Sequence, residues 1–245
     1  MVTIRFLGSG DAFGSGGRFQ ACIHVRTSAA GVLLDCGASS LIAMRRFGVD
    51  PNNIDAIVLS HLHGDHFGGI PFFILDAQFL SRRERPLVIA GPPGTEPRVK
   101  QAMEVLFPGS SQTQQRFEVR FVELQPSVHA EIAGVTATVF EVVHASGATP
   151  YALRVEVDGK TVAYSGDTEW TNALLDAARD ADLFICEANF FEKKVPFHLD
   201  YTTLMANRDR LACKRLILTH MNSDMLSRAS NLELEAAEDG MEVVV

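Results

Sequence analysis

Four side chains able to bind a metal ion fall within six residues at His61-Leu62-His63-Gly64-Asp65-His66, directly after the apolar run Ile54 to Leu59. A lone histidine is more often a packed or surface imidazole than a ligand. Only 8 of the 245 residues are His, however, and three of them beside an aspartate make a ligand set. Imidazole and carboxylate without thiolate suit zinc, with manganese or iron as further options. Such a site is best held by the ends of rigid strands. Three more metal-competent residues end β-branched or aromatic-rich runs: His144 after 135–143, Asp167 after 161–166 and His220 after 215–219.

In this order, the HxHxDH stretch, a later His, the Asp of Ser165-Gly166-Asp167-Thr168 and the His of Thr219-His220 resemble the metallo-β-lactamase fold superfamily, from Phe6-Leu7-Gly8-Ser9-Gly10 onward. The resemblance implies an α/β chain folded as a four-layer αββα sandwich, two mixed β-sheets covered by helices. It implies that His61, His63 and His144 hold one metal, that Asp65, His66 and His220 hold a second, and that Asp167 bridges them. The cofactors expected are two divalent ions, Zn2+ first and Mn2+ or Fe2+ as alternatives. Residues 182–190 and 198–203 are similar to the His-Glu-Ala-Thr and His-Ser-Thr segments of ribonuclease Z and its phosphodiesterase relatives, with Cys186, Asn189 and Leu199 departing from that pattern. In that branch the Glu orients an extra His that faces the scissile group. Here the resemblance assigns those roles to Glu187 and His198, and the expected catalytic set is His198, Glu187 and Asp65.

Two departures point away from tRNA processing. Only residues 145–166 separate His144 from Asp167, leaving no room for the substrate-clamping arm usual in ribonuclease Z. The Pro- and Lys/Arg-bearing loop after the first strand is replaced by Gly8-Ser9-Gly10-Asp11-Ala12-Phe13-Gly14-Ser15-Gly16-Gly17, which lacks a P-loop ending and reads as a flexible turn bordering the pocket. A formal charge of −8 provides no general footprint for nucleic acid. The dense basic cluster Arg82, Arg83 and Arg85 reads as a solvated helix end. The expected function is therefore hydrolysis of a small or cyclic phosphodiester by a hydroxide bridging two metal ions. Lactonase, thioesterase or arylsulfatase activity on the same centre is the alternative, ahead of a tRNA 3′-processing endonuclease or a non-catalytic metal-binding carrier. The expected partners are a small-molecule substrate and, as the assembly, a homodimer, with no stable nucleic-acid complex and no membrane.

With 47% hydrophobic residues the chain can bury a full core, and no linker, repeat or low-complexity segment divides it, so residues 1–245 are expected to form one hydrolase domain. Met1 to Phe6 enters a strand without the features of a secretion signal, and no apolar run approaches a membrane span. Cys22, Cys36, Cys186 and Cys213 lack CxxC spacing, which suits a reduced cytoplasmic chain. Strands are expected near 2–7, 21–26, 31–35, 55–59, 87–90, 118–123, 135–143, 151–157, 160–165, 183–187, 215–218 and 241–245. Helices are expected near 39–48, 70–82, 95–107, 170–179 and 200–211, an order compatible with two packed sheets under helices. Asp158-Gly159 marks a hairpin and Gly91-Pro92-Pro93-Gly94 a helix start. Asp200 caps the helix at Tyr201, with Leu199 and Leu204 as its hydrophobic staple. The resemblance implies that Asp35 lies beneath the metal-binding loop and hydrogen-bonds it, whereas His24 and His129 read as structural or exposed.

Overall fold

Central strands such as Gly31–Leu34 and Leu183–Glu187 are buried along their whole length, so both faces of each sheet must be covered. The computed structural model, which describes residues 1–245, meets this demand with two seven-stranded sheets. The first contains β1 (Thr3–Gly8), β2 (Cys22–Arg26), β3 (Gly31–Leu34), β4 (Ala56–Val58), β5 (Leu87–Gly91) and β6 (Val119–Glu123) in that spatial order. The second contains β7 (Ala130–Ile132), β8 (Val135–Glu141), β9 (Tyr151–Val157), β10 (Lys160–Tyr164), β11 (Leu183–Glu187), β12 (Leu216–Thr219) and β13 (Glu235–Ala236). The chain then returns to the first sheet, where β14 (Glu242–Val244) pairs antiparallel with β1.

The two-residue strand period sorts side chains between layers. Val32, Leu34, Ala56 and Val58 point into a shared cluster with Val162, Tyr164, Ile185 and Ile217 from the other sheet. Their neighbours Leu33 and Ile57 face outward beneath α3 (Ile70–Phe79) and α4 (Thr95–Leu106), with α1 (Ser40–Arg46) alongside. Ala163, Phe184, Cys186 and Leu218 pack outward against α5 (Ala173–Ala178), α6 (Tyr201–Asn207) and α7 (Ser223–Ser227). Helix, sheet, sheet, helix is the expected αββα sandwich. Asp200 does cap α6, accepting from the Thr203 amide, and Leu199 and Leu204 are buried beside it. No helix is long and apolar enough to cross a membrane.

In each sheet one half is antiparallel and the other parallel, β3 to β6 in the first and β10 to β13 in the second. The carboxyl ends of β3, β4, β10, β11 and β12 deliver Asp35, His61, Asp167, Glu187 and His220, the position at which open α/β sheets bind ligands. One sequence expectation fails nearby. Arg83 is no solvated helix end: it is 1% exposed, and its guanidinium donates to the carbonyls of Pro51, Ile54, Arg85 and Pro86. Four carbonyls satisfy the cation, so it serves the packing of the loops before β4 and β5.

Candidate metal centre

Asp35 organises one side of the site. It is fully buried in the left-handed region (φ 60°), a conformation that non-glycine residues hold only when their surroundings impose it. Its carboxylate accepts from the Ser60 amide (2.8 Å), the Ser60 hydroxyl (2.7 Å) and His66 Nδ1 (2.6 Å). The loop after β4 is thereby tied to the end of β3, and His66 turns Nε2 inward. Asp65 and His66 lie on the single-turn helix α2 (Gly64–Phe67). This turn approaches Gly37 so closely that a Cβ there would stand 2.2 Å from the Asp65 carbonyl oxygen, which accounts for the glycine.

The other ligand candidates are held as firmly. His144 donates from Nδ1 to the Phe197 carbonyl (2.9 Å), which leaves Nε2 facing His63 Nδ1 at 3.1 Å. His220, also left-handed (φ 56°), meets the Asn189 amide group at Nδ1 (3.3 Å) and turns Nε2 toward Asp65 Oδ2 (3.3 Å). Asp167 stands between two groups. Its Oδ2 lies 3.9 Å from Nε2 of both His61 and His144, and 3.5 Å from Nε2 of His220, while Oδ1 lies 3.3 Å from His66 Nε2. All seven residues named by the sequence thus converge, with ligand atoms grouped as His61, His63 and His144, and as Asp65, His66, Asp167 and His220.

The donor set fits two metal ions. His61 Nε2, His66 Nε2 and Asp167 Oδ1 are buried without hydrogen-bond partners. With His66 Nδ1–H given to Asp35, its Nε2 lone pair faces Asp65 Oδ2 at 3.2 Å and Asp167 Oδ1 at 3.3 Å. Buried acceptors facing acceptors are costly unless a cation lies among them. Among the protein groups alone, burial opposes charge on His66, but Asp167, Asp35 and Asp65 outweigh it and hold its pKa well above the ordinary value. Burial likewise opposes charge on His220, yet Asp167 and the hydrogen bond to Asp65 push it up to about 9. The carboxyls of Asp65 and Asp167, although burial works the other way, are held well below the usual range by the surrounding imidazoles. Burial keeps His61 neutral, the form a metal ligand needs.

Beside this cluster His198 Nδ1 stands 3.1 Å from Glu187 Oε2, so the pair singled out in the sequence is formed. Glu187 is fully buried and its other oxygen accepts from the Thr168 amide. Burial raises the Glu187 pKa, and burial alone would lower that of His198, but the hydrogen bond and charge of Glu187 carry His198 above the ordinary value. One proton is therefore held between Nδ1 and the carboxylate, and the other ring nitrogen is the one available to substrate.

A cavity of about 690 Å³ opens onto the cluster, lined by His63, Asp65, Asp167, His198 and His220 together with Asp11, Phe13, Asn189 and Asn222. The glycine-rich segment is not the flexible turn read from its composition. Buried Asp11 accepts from the amides of Phe13 (3.1 Å) and Ser15 (2.9 Å) and from the Ser15 hydroxyl (2.7 Å), which fixes that loop as a wall. Ser60 and Asn189 are further site residues that sequence reasoning did not assign to the site; adjacency to His61 is the signal for Ser60, and Asn189 stood out only as a departure from the pattern of the segment around Glu187.

The family model described as Anti-Pycsar protein Apyc1 matches residues 2–239. The ribonuclease Z of Methanosarcina acetivorans is 26% identical over 275 residues, covering 91% of this chain and 88% of that protein. Among solved structures, the metallo-β-lactamase fold protein YhfI from Bacillus subtilis superposes with a TM-score of 0.77 at 20% identity over all of both chains. A diphosphatase of the PhnP family superposes with a TM-score of 0.80 at 19% identity, over 100% of this chain and 98% of the other. The chain has the fold of a metal-dependent hydrolase. Its match along nearly the whole length means that it belongs to the Apyc1 family, within the ribonuclease Z-like branch of the metallo-β-lactamase fold superfamily.

Proposed function

We propose that residues 1–245 form one hydrolase domain that cleaves a small or cyclic phosphodiester. The observation that carries this reading is the His198–Glu187 pair set beside a seven-residue His/Asp cluster at the floor of one cavity. His61, His63 and His144 would hold one ion, Asp65, His66 and His220 the other, and Asp167 both; the N/O donor set favours zinc. Bound there, two divalent ions would lower the pKa of a water and polarise the phosphoryl oxygens.

The chain's own residues then divide the work. Asp65 and Asp167 line the cavity floor and supply the negative charge that makes the site a cation trap. Asp65 is in position to orient the attacking water. His198 gives its Nδ1 proton to Glu187 in a hydrogen bond and directs its other nitrogen to the ester, where it protonates the leaving oxygen or stabilises the charge developing on phosphate. No Lys or Arg lines the cavity, and only a hairpin follows His144 before Asp167, which supports a compact substrate over a long polyanion.

Hydrolysis by the zinc-loaded protein of a panel of chromogenic phosphodiesters, phosphomonoesters, sulfates and lactones tests the reading. Phosphodiesters are expected to give the highest kcat/KM. A preference for lactones or sulfates would transfer the site to those esters.

A further inference from the structure

An imidazole that holds a metal through one ring nitrogen needs its proton kept on the other. His144 gives Nδ1–H to the Phe197 carbonyl and His66 gives it to the Asp35 carboxylate, each a partner that can only accept. His61 differs, because its Nδ1 faces a hydroxyl, Ser60 Oγ at 3.0 Å, which can donate or accept. Only one arrangement of protons satisfies all three groups. Ser60 has one hydroxyl proton and lies 2.7 Å from Asp35 Oδ2, an oxygen that already accepts from His66 Nδ1 and has no proton to return. The hydroxyl therefore donates to Asp35, its lone pair faces His61, and His61 carries its proton on Nδ1. That leaves a lone pair on His61 Nε2, the buried atom without a protein partner. The hydroxyl is confined as well as paired. Ser60 is fully buried, and the chain after β10 closes over it at left-handed Gly166 (φ 58°), where a Cβ would stand 2.8 Å from Ser60 Cβ and 3.2 Å from Oγ.

Resting on the two-ion assignment of the proposed function, we infer that Ser60 is a positioning residue that fixes His61 in the tautomer presenting Nε2 and ties it to the Asp35 oxygen that also fixes His66. A ligand of each ion is then anchored on one carboxylate oxygen, but only His61 reaches it through a hydroxyl. Without that hydroxyl Asp35 keeps the Ser60 amide (2.8 Å) and His66 Nδ1 (2.6 Å), so His66 stays in place while His61 Nδ1 is left buried and unpaired. Loss of the hydroxyl thus falls on the position of His61, His63 and His144 and spares that of Asp65, His66 and His220.

Two measurements on the zinc-loaded protein test this. Long-range proton–nitrogen NMR correlations of the wild-type imidazoles should show the His61 proton on Nδ1 and protected from exchange with solvent. A proton on Nε2, or an Nδ1–H exchanging as freely as that of an exposed imidazole, overturns the relay without need of a variant. In competition with a chromogenic chelator, Ser60→Ala should hold one ion as tightly as the wild type and the other with roughly 10- to 100-fold lower affinity, the scale for losing a group that orients a metal ligand. The exchange protection of His61 Nδ1–H should be lost in the same variant. Unchanged affinity for both ions, or equal weakening of both, overturns the assignment. Should the wild type hold a single ion, the bridged two-metal reading falls, and the tautomer of His61 with its exchange in Ser60→Ala decides by itself whether Ser60 positions that ring.

Discussion

At the scale of single residues, His198 stands at the edge of the ligand cluster, within reach of His144 and Asp167, but its Nδ1, the nitrogen 4.0 Å from Asp167, is already paired with Glu187. His198→Ala should leave metal content unchanged and lower kcat by roughly 10²- to 10⁴-fold, the scale for losing a general acid or charge-stabilising donor. Steady-state kinetics with parallel elemental analysis check this, and loss of an ion would move His198 into the ligand set. Glu187→Gln should act in the same direction more mildly. Both losses should shrink for p-nitrophenolate, which needs little protonation on leaving, relative to an alkoxide. The seven cluster residues were legible in the sequence because metal chemistry restricts residue type and spacing so tightly. Glu187 and His198 were legible through family likeness, eleven positions apart. Asn189 was not, because its role follows from the left-handed turn at His220, which no local pattern announces.

Elements follow their periodicity or their apolar runs. The twelve expected strands and five expected helices lie within a few residues of expectation, β4 and β14 among them at only three residues each, whereas β7, β13, α2 and α7, of two to five residues, were not expected. Arg83 was misread because sequence cannot tell a solvated guanidinium from one enclosed by carbonyls brought from two loops. Strand β2 carries a titratable group whose effect can be measured. His24 is buried with Nε2 unpartnered, and burial, then Arg26 and Arg5, lower its pKa to about 4. The unfolded chain takes up this proton first, near the ordinary histidine value, so stability is complete above that value and falls as pH drops toward 4. The loss attributable to His24 should approach about 3 kcal/mol. Urea denaturation across this range should show a steeper decline for the wild type than for His24→Gln; parallel curves would remove His24 as the cause.

Over the whole molecule, charge and topology restrict the substrate. The chain carries a net −8 and only the β9–β10 hairpin follows the loop after His144, so nothing extends to clamp a large polyanion. The isolated protein should cleave precursor tRNA poorly beside a small diester, and efficient, salt-sensitive cleavage at the tRNA 3′ end would contradict that. The net charge was plain from composition, but the enclosure of the cavity by the Asp11 loop required the fold, because Asp11 does its work through amides it bends toward itself. Everything at the site depends on cations resolving the opposed lone pairs of His61, His66 and Asp167. Metal content per chain, measured by elemental analysis on wild type and Asp167→Ala, tests this most directly. About two transition-metal ions are expected in the wild type, since seven ligands exceed what one tetrahedral zinc needs, and Asp167→Ala should lose metal from both positions. A wild type holding a single ion, or an Asp167→Ala protein retaining both ions and full activity, would contradict the bridged two-metal centre.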